Sequence, residues 1–280
     1  MLGRRIEAIG RSLNLTDRVA LRECLHCIAL AGAMGLLGPF SCGASGWDGV
    51  DARVLGQGGV WAVDVVERSP GAPVAPGISL GLGSAQPFAG SGLMSTAVRA
   101  QCVRPAWGMG FALSQLRSDV HRQADLALGL QLRRRHWAWG AALGLGALEF
   151  ARHEALRELS LSGGLGVRTR VRVAAVVESV LEPRSAGVNP RLVLAASAGA
   201  GRGLELAVQC EREPRFPLRV RAGATWRGKP LDLRAGYDTT TRTASAGLAV
   251  ALGPCTFAWG ASSHPDLGWS HAWMLEFRRS

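Results

Sequence analysis

Along the final run of the chain, Trp269, His271, Trp273, Leu275 and Phe277 alternate with Ser270, Ala272, Met274 and Glu276. Side chains of a strand point to opposite faces with a period of two, so this run presents one bulky, largely aromatic face and one smaller, more polar face. The same alternation recurs backwards over more than half of the chain. It predicts about fourteen strands, near 77–84, 93–102, 106–116, 123–133, 136–147, 157–167, 169–181, 190–200, 203–212, 217–227, 229–237, 243–252, 254–262 and 268–278. The pattern is plainest where Leu126, Leu128, Leu130 and Leu132 alternate with Asp125, Ala127, Gly129, Gln131 and Arg133. Most of these segments suit a tilted strand that crosses a bilayer, which takes about 9–11 residues.

A sheet of that size with an apolar side and a polar side has two outlets. It can pack into a soluble sandwich or calyx, or it can close in a membrane with the apolar side outward. In hydrocarbon each unpaired backbone N–H or C=O costs several kcal/mol as an order of magnitude, so a membrane sheet leaves no open edge. Joints here alternate between short ones, such as Arg227-Gly-Lys229 and Gly253-Pro254, and longer polar ones, such as 182–190. That rhythm fits turns at one rim and loops at the other. The expected fold is therefore all-β: an antiparallel transmembrane barrel of about fourteen strands over 77–280, inserted in the outer membrane of a Gram-negative cell. Trp107, Trp137, Trp226 and Trp269 fall near strand ends, where an amphipathic ring prefers the headgroup layer.

Composition changes this picture in two places. Hydrophobic residues make up 48% of the 280 residues and mean hydropathy is +0.13, yet no mature segment approaches the roughly 18 apolar residues of a spanning helix. Net charge is +11, and of 32 basic residues only Lys229 is lysine. Basic patches can mark nucleic-acid binding. Here arginine alternates with apolar residues, as in Arg219, Arg221 and Arg227 against Val220, Ala222, Ala224 and Trp226, and no nucleic-acid motif accompanies it. Nucleic acid is therefore not an expected partner. The alternation instead sends to the barrel interior Asp125, Arg133, Arg168, Arg219, Arg221, Asp232, Arg234 and Glu276, with Asp232 and Glu205 as partners for the arginines.

The N-terminus has a different character. Arg4, Arg5, Arg11, Arg18 and Arg22 precede an apolar run, 27–40, which is followed by Ser41-Cys-Gly-Ala44. These features predict a secretory signal over 1–44 with cleavage after Ala44; a lipoprotein signal at Cys42 and a buried core helix are the other readings. Cys24 and Cys27 fall inside that signal. Cys102, Cys210 and Cys255 remain, an odd and dispersed set that reads as small apolar fillers, not a disulfide framework. Residues 45–76 are Gly-rich, weakly patterned and broken by Pro70, Pro73 and Pro76, and read as a lumenal plug segment or a flexible linker.

A family likeness rests on both ends of the mature chain. His264-Pro265-Asp266-Leu267-Gly268, followed by His271 and an aromatic-ending last strand, resembles the closing hairpin of outer-membrane barrels related to the FadL long-chain fatty-acid transporters, especially the PorV/PorQ-like branch. Asp51-Ala-Arg-Val-Leu-Gly-Gln-Gly-Gly-Val-Trp-Ala-Val63 resembles that family's opening segment. The resemblance implies a fourteen-stranded barrel with its N-terminal segment in the lumen. Two departures stand out. The Asn-Pro-Ala-Gly motif usual after the opening segment is reduced to Ala75-Pro-Gly77, and Phe277, which resembles the aromatic signal for barrel insertion, is followed by Arg278, Arg279 and Ser280.

His264, Asp266, Ser270 and His271 raise the question of acyl transfer, since a nucleophile, a base and an orienting acid are the parts of that chemistry. They crowd into one turn, and alternation sends Ser270 and His271 to opposite faces, so a polar hairpin is the expected reading. No metal cluster, phosphate loop or carboxylate pair suggests a cofactor, and no catalytic residue is assigned. The expected function is passage of hydrophobic or small solutes across the outer membrane. The alternatives are a plugged structural or secretion-associated barrel and, more remotely, an outer-membrane lipase. Expected partners are outer-membrane lipid, the barrel-assembly machinery and a periplasmic or secretion component. Two substitutions express the facing: Val220→Arg should cost about 2–4 kcal/mol if near the midplane, and Gly223→Ser much less.

Overall fold

The structure is a computed structural model that describes residues 52–57, 75–150, 156–181, 188–214 and 216–279. The expected signal 1–44 and most of the segment 45–76 lie outside the described residues.

Fourteen strands make up the wall: β1 Gly77–Gln86, β2 Met94–Val103, β3 Trp107–Arg117, β4 His121–Arg134, β5 Trp137–Phe150, β6 Leu156–Arg168 and β7 Val171–Leu181. The second half comprises β8 Val188–Gly201, β9 Leu204–Arg212, β10 Arg219–Arg227, β11 Leu231–Asp238, β12 Thr243–Leu252, β13 Cys255–His264 and β14 Gly268–Arg279. Every strand pairs antiparallel with its chain neighbours, and β1 closes on β14 to form a barrel. At the seam Leu80 faces Phe277 and Gly81 faces Glu276, so the apolar and polar parities continue unbroken around the wall. Closure gives every strand two hydrogen-bonded neighbours, which is what a sheet in hydrocarbon requires.

The alternation places the two faces as expected. Ile78, Leu80 and Leu82 on β1, Met109, Phe111 and Leu113 on β3, and Leu128, Leu130 and Leu132 on β4 are exposed on the outer surface. Their neighbours in sequence are buried inside, Ser79 on β1, Ala112 and Ser114 on β3, Gln131 on β4. An outward band this rich in exposed leucine and aromatic side chains is stable only against lipid. Cys102, Cys210 and Cys255 are free and half-buried.

Connections differ sharply between the two rims. At the rim where β1 begins and β14 ends, the turns β2–β3, β4–β5, β6–β7, β8–β9, β10–β11 and β12–β13 run two or three residues. The opposite rim holds the longer connections, including 87–93 and 213–218. Outer-membrane barrels place short turns toward the periplasm and longer loops outside, which orients this one. Trp107, Trp137 and Trp226 ring the short-turn rim, and Tyr237 and Trp269 lie at the loop rim.

Among the described residues, one helical turn lies inside the wall: α1, Ala52–Gly56, followed by Gln57. The weak strand patterning of this stretch was expected of a lumenal segment; its helical form was not legible from it. α1 packs against β11, β12, β13 and β14.

Candidate functional site

The lumen is built in layers along the strands. Toward the loop rim the antiparallel register brings Arg219 opposite Glu211 and Arg221 opposite Asp238. Arg221 is almost fully buried; its Nη1 lies 2.6 Å from Glu211 and its Nε donates to Asp238 at 3.1 Å. Arg219 donates to the same Asp238 oxygen at 2.6 Å. Glu211 also accepts from Arg191 at 2.9 Å and from Gln209 at 2.6 Å, and Arg191 lies 3.6 Å from both Glu178 and Glu213. One ionic chain thus runs along the inner wall from β7 to β11. Toward the short-turn rim a second group forms around Glu205, which pairs with Arg172 and, at 2.8 Å, with Arg227.

Between these two layers the wall is apolar. Ala174 and Val176 on β7, Val193 and Ala195 on β8 and Ala207 on β9 form a cluster, and Val54 of α1 packs into it. A second apolar patch, Ala85, Ala249, Ala258, Ala272 and Met274, takes Leu55. Residues 54 and 55 point about 100° apart on a helix, so one short turn covers two stretches of wall. Polar contacts fix its position. Arg53 pairs with Glu276, which lies 3.7 Å from Arg99 as well. Gln57 lies over Gly223: a Cβ at Gly223 would come within 2.5 Å of the Gln57 carbonyl oxygen and 2.6 Å of its Cγ.

The eight charges expected inside share the inward parity but do not make one site. Arg219 and Arg221 join the ionic chain, Glu276 holds α1, and Arg234 and Asp232 approach each other at 3.9 Å. Asp125 accepts from Gln123 at 3.1 Å and from Ser114 at 3.4 Å, in a separate group toward the loop rim. Arg133 and Arg168 lie at the short-turn rim, where Arg133 donates to the Arg104 carbonyl at 3.1 Å. The expected partners of the β10 arginines hold for Arg227, which pairs with Glu205, and require correction for the other two: Arg219 pairs with Asp238, and Arg221 with Glu211 and Asp238. Register, which alternation leaves open, chose them. Parity along β9 could have found Glu211, since Glu205, Ala207, Gln209 and Glu211 share one face.

The facing expectations also change. Val220 is the second residue of β10, at the loop rim, where its carbonyl accepts from Thr239. It is not near the midplane. Gly223→Ser would not be mild either, because Gln57 occupies the space.

The closing hairpin is held by its own polar groups. His264 Nδ1 accepts from the backbone N–H groups of Asp266 and Leu267 at 3.1 and 3.2 Å, and Gly268 takes φ +80°. Pro265 and Leu267 complete the turn. Ser270 Oγ accepts from the Phe88 N–H at 3.0 Å, tying the β1–β2 loop to this hairpin. His271 is stacked near Trp259, Trp269 and Trp273, with centroids 6.2 to 6.4 Å away. Phe277 faces outward between Leu80 and Cys255. These groups serve the hairpin and the outer wall.

No family model matches the sequence, and none of the curated proteins is similar enough to match it. Solved structures do. The toluene transporter TbuX of Ralstonia pickettii aligns over 84% of this chain and 99% of its own, at 10% identity and a TM-score of 0.55. CymD, a monoaromatic hydrocarbon channel, aligns over 85% of this chain and 99% of its own, at 12% identity and a TM-score of 0.56. At such identities the likeness concerns the fold alone, and it agrees with the closed barrel expected from the sequence.

Proposed function

We propose that this divergent FadL-like outer-membrane barrel passes small apolar solutes, with α1 as the element a solute must displace. The observation that carries the reading is the apolar waist. A pore for ions or sugars keeps polar groups along its whole length, whereas here Val176, Val193 and Ala207 form apolar wall between the two charged layers, and Ala258 and Met274 belong to a second apolar patch. Val54 and Leu55 occupy that waist. Whatever replaces them must be apolar to recover the contact, at about 25 cal/mol per Å² of surface removed from water. The two structural relatives, a toluene transporter and a monoaromatic hydrocarbon channel, support a small hydrocarbon as the solute class.

A second reading is a plugged barrel with a structural or secretion-associated role, favoured by the firmness of the α1 seat. The Arg53–Glu276 pair and the Gln57–Gly223 approach both hold the turn in place. Uptake of radiolabelled toluene by cells producing the protein, alongside planar-bilayer conductance, separates the two. Passage of a small hydrocarbon needs uptake above that of empty cells with small ionic conductance. A well-folded barrel giving neither uptake nor conductance supports the plugged role.

A further inference from the structure

Among the described residues the basic surplus gathers at one rim. Each of the six short turns can be read for charge: Arg104-Pro-Ala, Arg135-His, Thr169-Arg170, Arg202-Gly, Gly228-Lys229-Pro and Gly253-Pro. Five carry a cation and none carries an acid. The ends of the adjoining strands add more, with Arg134, Arg168 and Arg279 exposed there. The loop rim is mixed by contrast, since Asp119, Glu213 and Asp266 stand among its arginines. Among the described residues no acid pairs with Arg104, Arg135, Arg170, Arg202 or Lys229.

Depth decides what such a collar meets. Arg134 pairs across the hairpin with Trp137, and Arg279 with Ile78, both on the lipid-facing parity. The tryptophans at this rim mark the headgroup layer, so the arginines are at or just beyond it. Turns of two or three residues cannot lift the remaining cations far from that layer. A guanidinium matches a phosphate with two parallel hydrogen bonds, which an ammonium does not, and all but one of these cations are arginine.

We propose that the short-turn rim is a phosphate-binding collar that seats on the headgroups of anionic phospholipids, phosphatidylglycerol or cardiolipin, in the leaflet around it. Lipid is favoured over an acidic protein because Arg134 and Arg279 point away from the lumen mouth, toward the acyl boundary. Each cation near an anionic surface strengthens association about five-fold, so loss of three should weaken it about a hundred-fold.

The test uses the full chain folded in neutral detergent, with lipid retention read by native mass spectrometry. Phosphatidylglycerol should be retained in preference to phosphatidylcholine, the preference should fall in high salt, and inorganic phosphate at equal concentration should not displace the lipid. The variant Arg135→Asn, Arg170→Gln, Arg202→Asn should lose the preference with its heat-modifiable gel shift unchanged. Arg135 and Arg202 have φ of 52° and 49°, which asparagine tolerates. If that variant does not fold, Arg170→Gln alone should weaken phosphatidylglycerol retention about five-fold. Equal retention of both lipids by the unaltered protein, or a preference that survives the substitutions, overturns the proposal. Oligoglutamate binding that the substitutions abolish, with no lipid preference, overturns it in favour of an acidic protein partner.

Discussion

Gly223 of β10 and Gln57 of the lumenal turn approach so closely that a Cβ on Gly223 would lie 2.5 Å from the Gln57 carbonyl oxygen. Absence of a side chain at one wall position is therefore a condition for the seat of α1. Gly223→Val should expel the turn while leaving β10 in the barrel, because valine suits a strand and Gly223 pairs with Ala207 and Gly236, which leave room. The expected outcome is a higher single-channel conductance with an unchanged heat-modifiable gel shift. An unchanged conductance would mean that α1 does not limit the lumen.

Glu276→Gln should loosen α1 from the other side. The substitution removes the carboxylate shared by Arg53 and Arg99 and leaves two cations near a neutral amide, at a cost to the seat of about 2 kcal/mol. Conductance should rise, and the double variant with Gly223→Val should add little to either alone, since both act on one element. Simple additivity in the log of open probability would show that they act separately.

The ionic chain of the wall offers a stability test. Glu211 holds Arg191 and Arg221 together, and both pairs are buried. Glu211→Ala takes one carboxylate from both guanidinium groups, leaving Asp238 to Arg221 and Glu178 and Glu213 to Arg191, and should cost about 3 kcal/mol. Asp232→Ala breaks a 3.9 Å contact in a more exposed place and should cost about 0–1 kcal/mol. Equilibrium unfolding by urea in lipid vesicles measures both, and equal costs would contradict the layered reading.

Facing and depth can be read from the outer wall. Leu128 lies four residues from Leu132, which pairs with both Trp107 and Trp139 near the short-turn girdle. At about 3.3 Å per residue that places Leu128 roughly 13 Å along the strand from the girdle, near the middle of the apolar band. Leu128→Arg should cost about 2–4 kcal/mol, and Val220→Arg, at the loop rim, about 0–1 kcal/mol. The same unfolding measurement reports the difference, and a larger cost at Val220 would invert the depth assignment.

Strand number and facing were legible because the period of two is local. Leu126 to Leu132 on β4 lie on the parity and within the bounds the pattern implies, and β12 and β14 begin where expected, at Thr243 and Gly268. Strand ends moved by up to three residues, as at Phe150 of β5, where pairing with β4 continues the ladder beyond the clean alternation. The interior charges were legible one by one, since parity assigns a face, but their partnerships were not.

Sequence by itself determined which side chains meet lipid, which meet the lumen, and that the sheet must close, because alternation and the cost of unpaired backbone groups in hydrocarbon act on each segment separately. Tertiary structure alone decided that Arg221 meets Glu211 and Asp238, that Arg53 finds Glu276 across more than two hundred residues, and that Gly223 makes room for Gln57. Those contacts depend on the relative register of neighbouring strands and on the depth at which one helical turn comes to rest. Both are fixed only when all fourteen strands are paired around it.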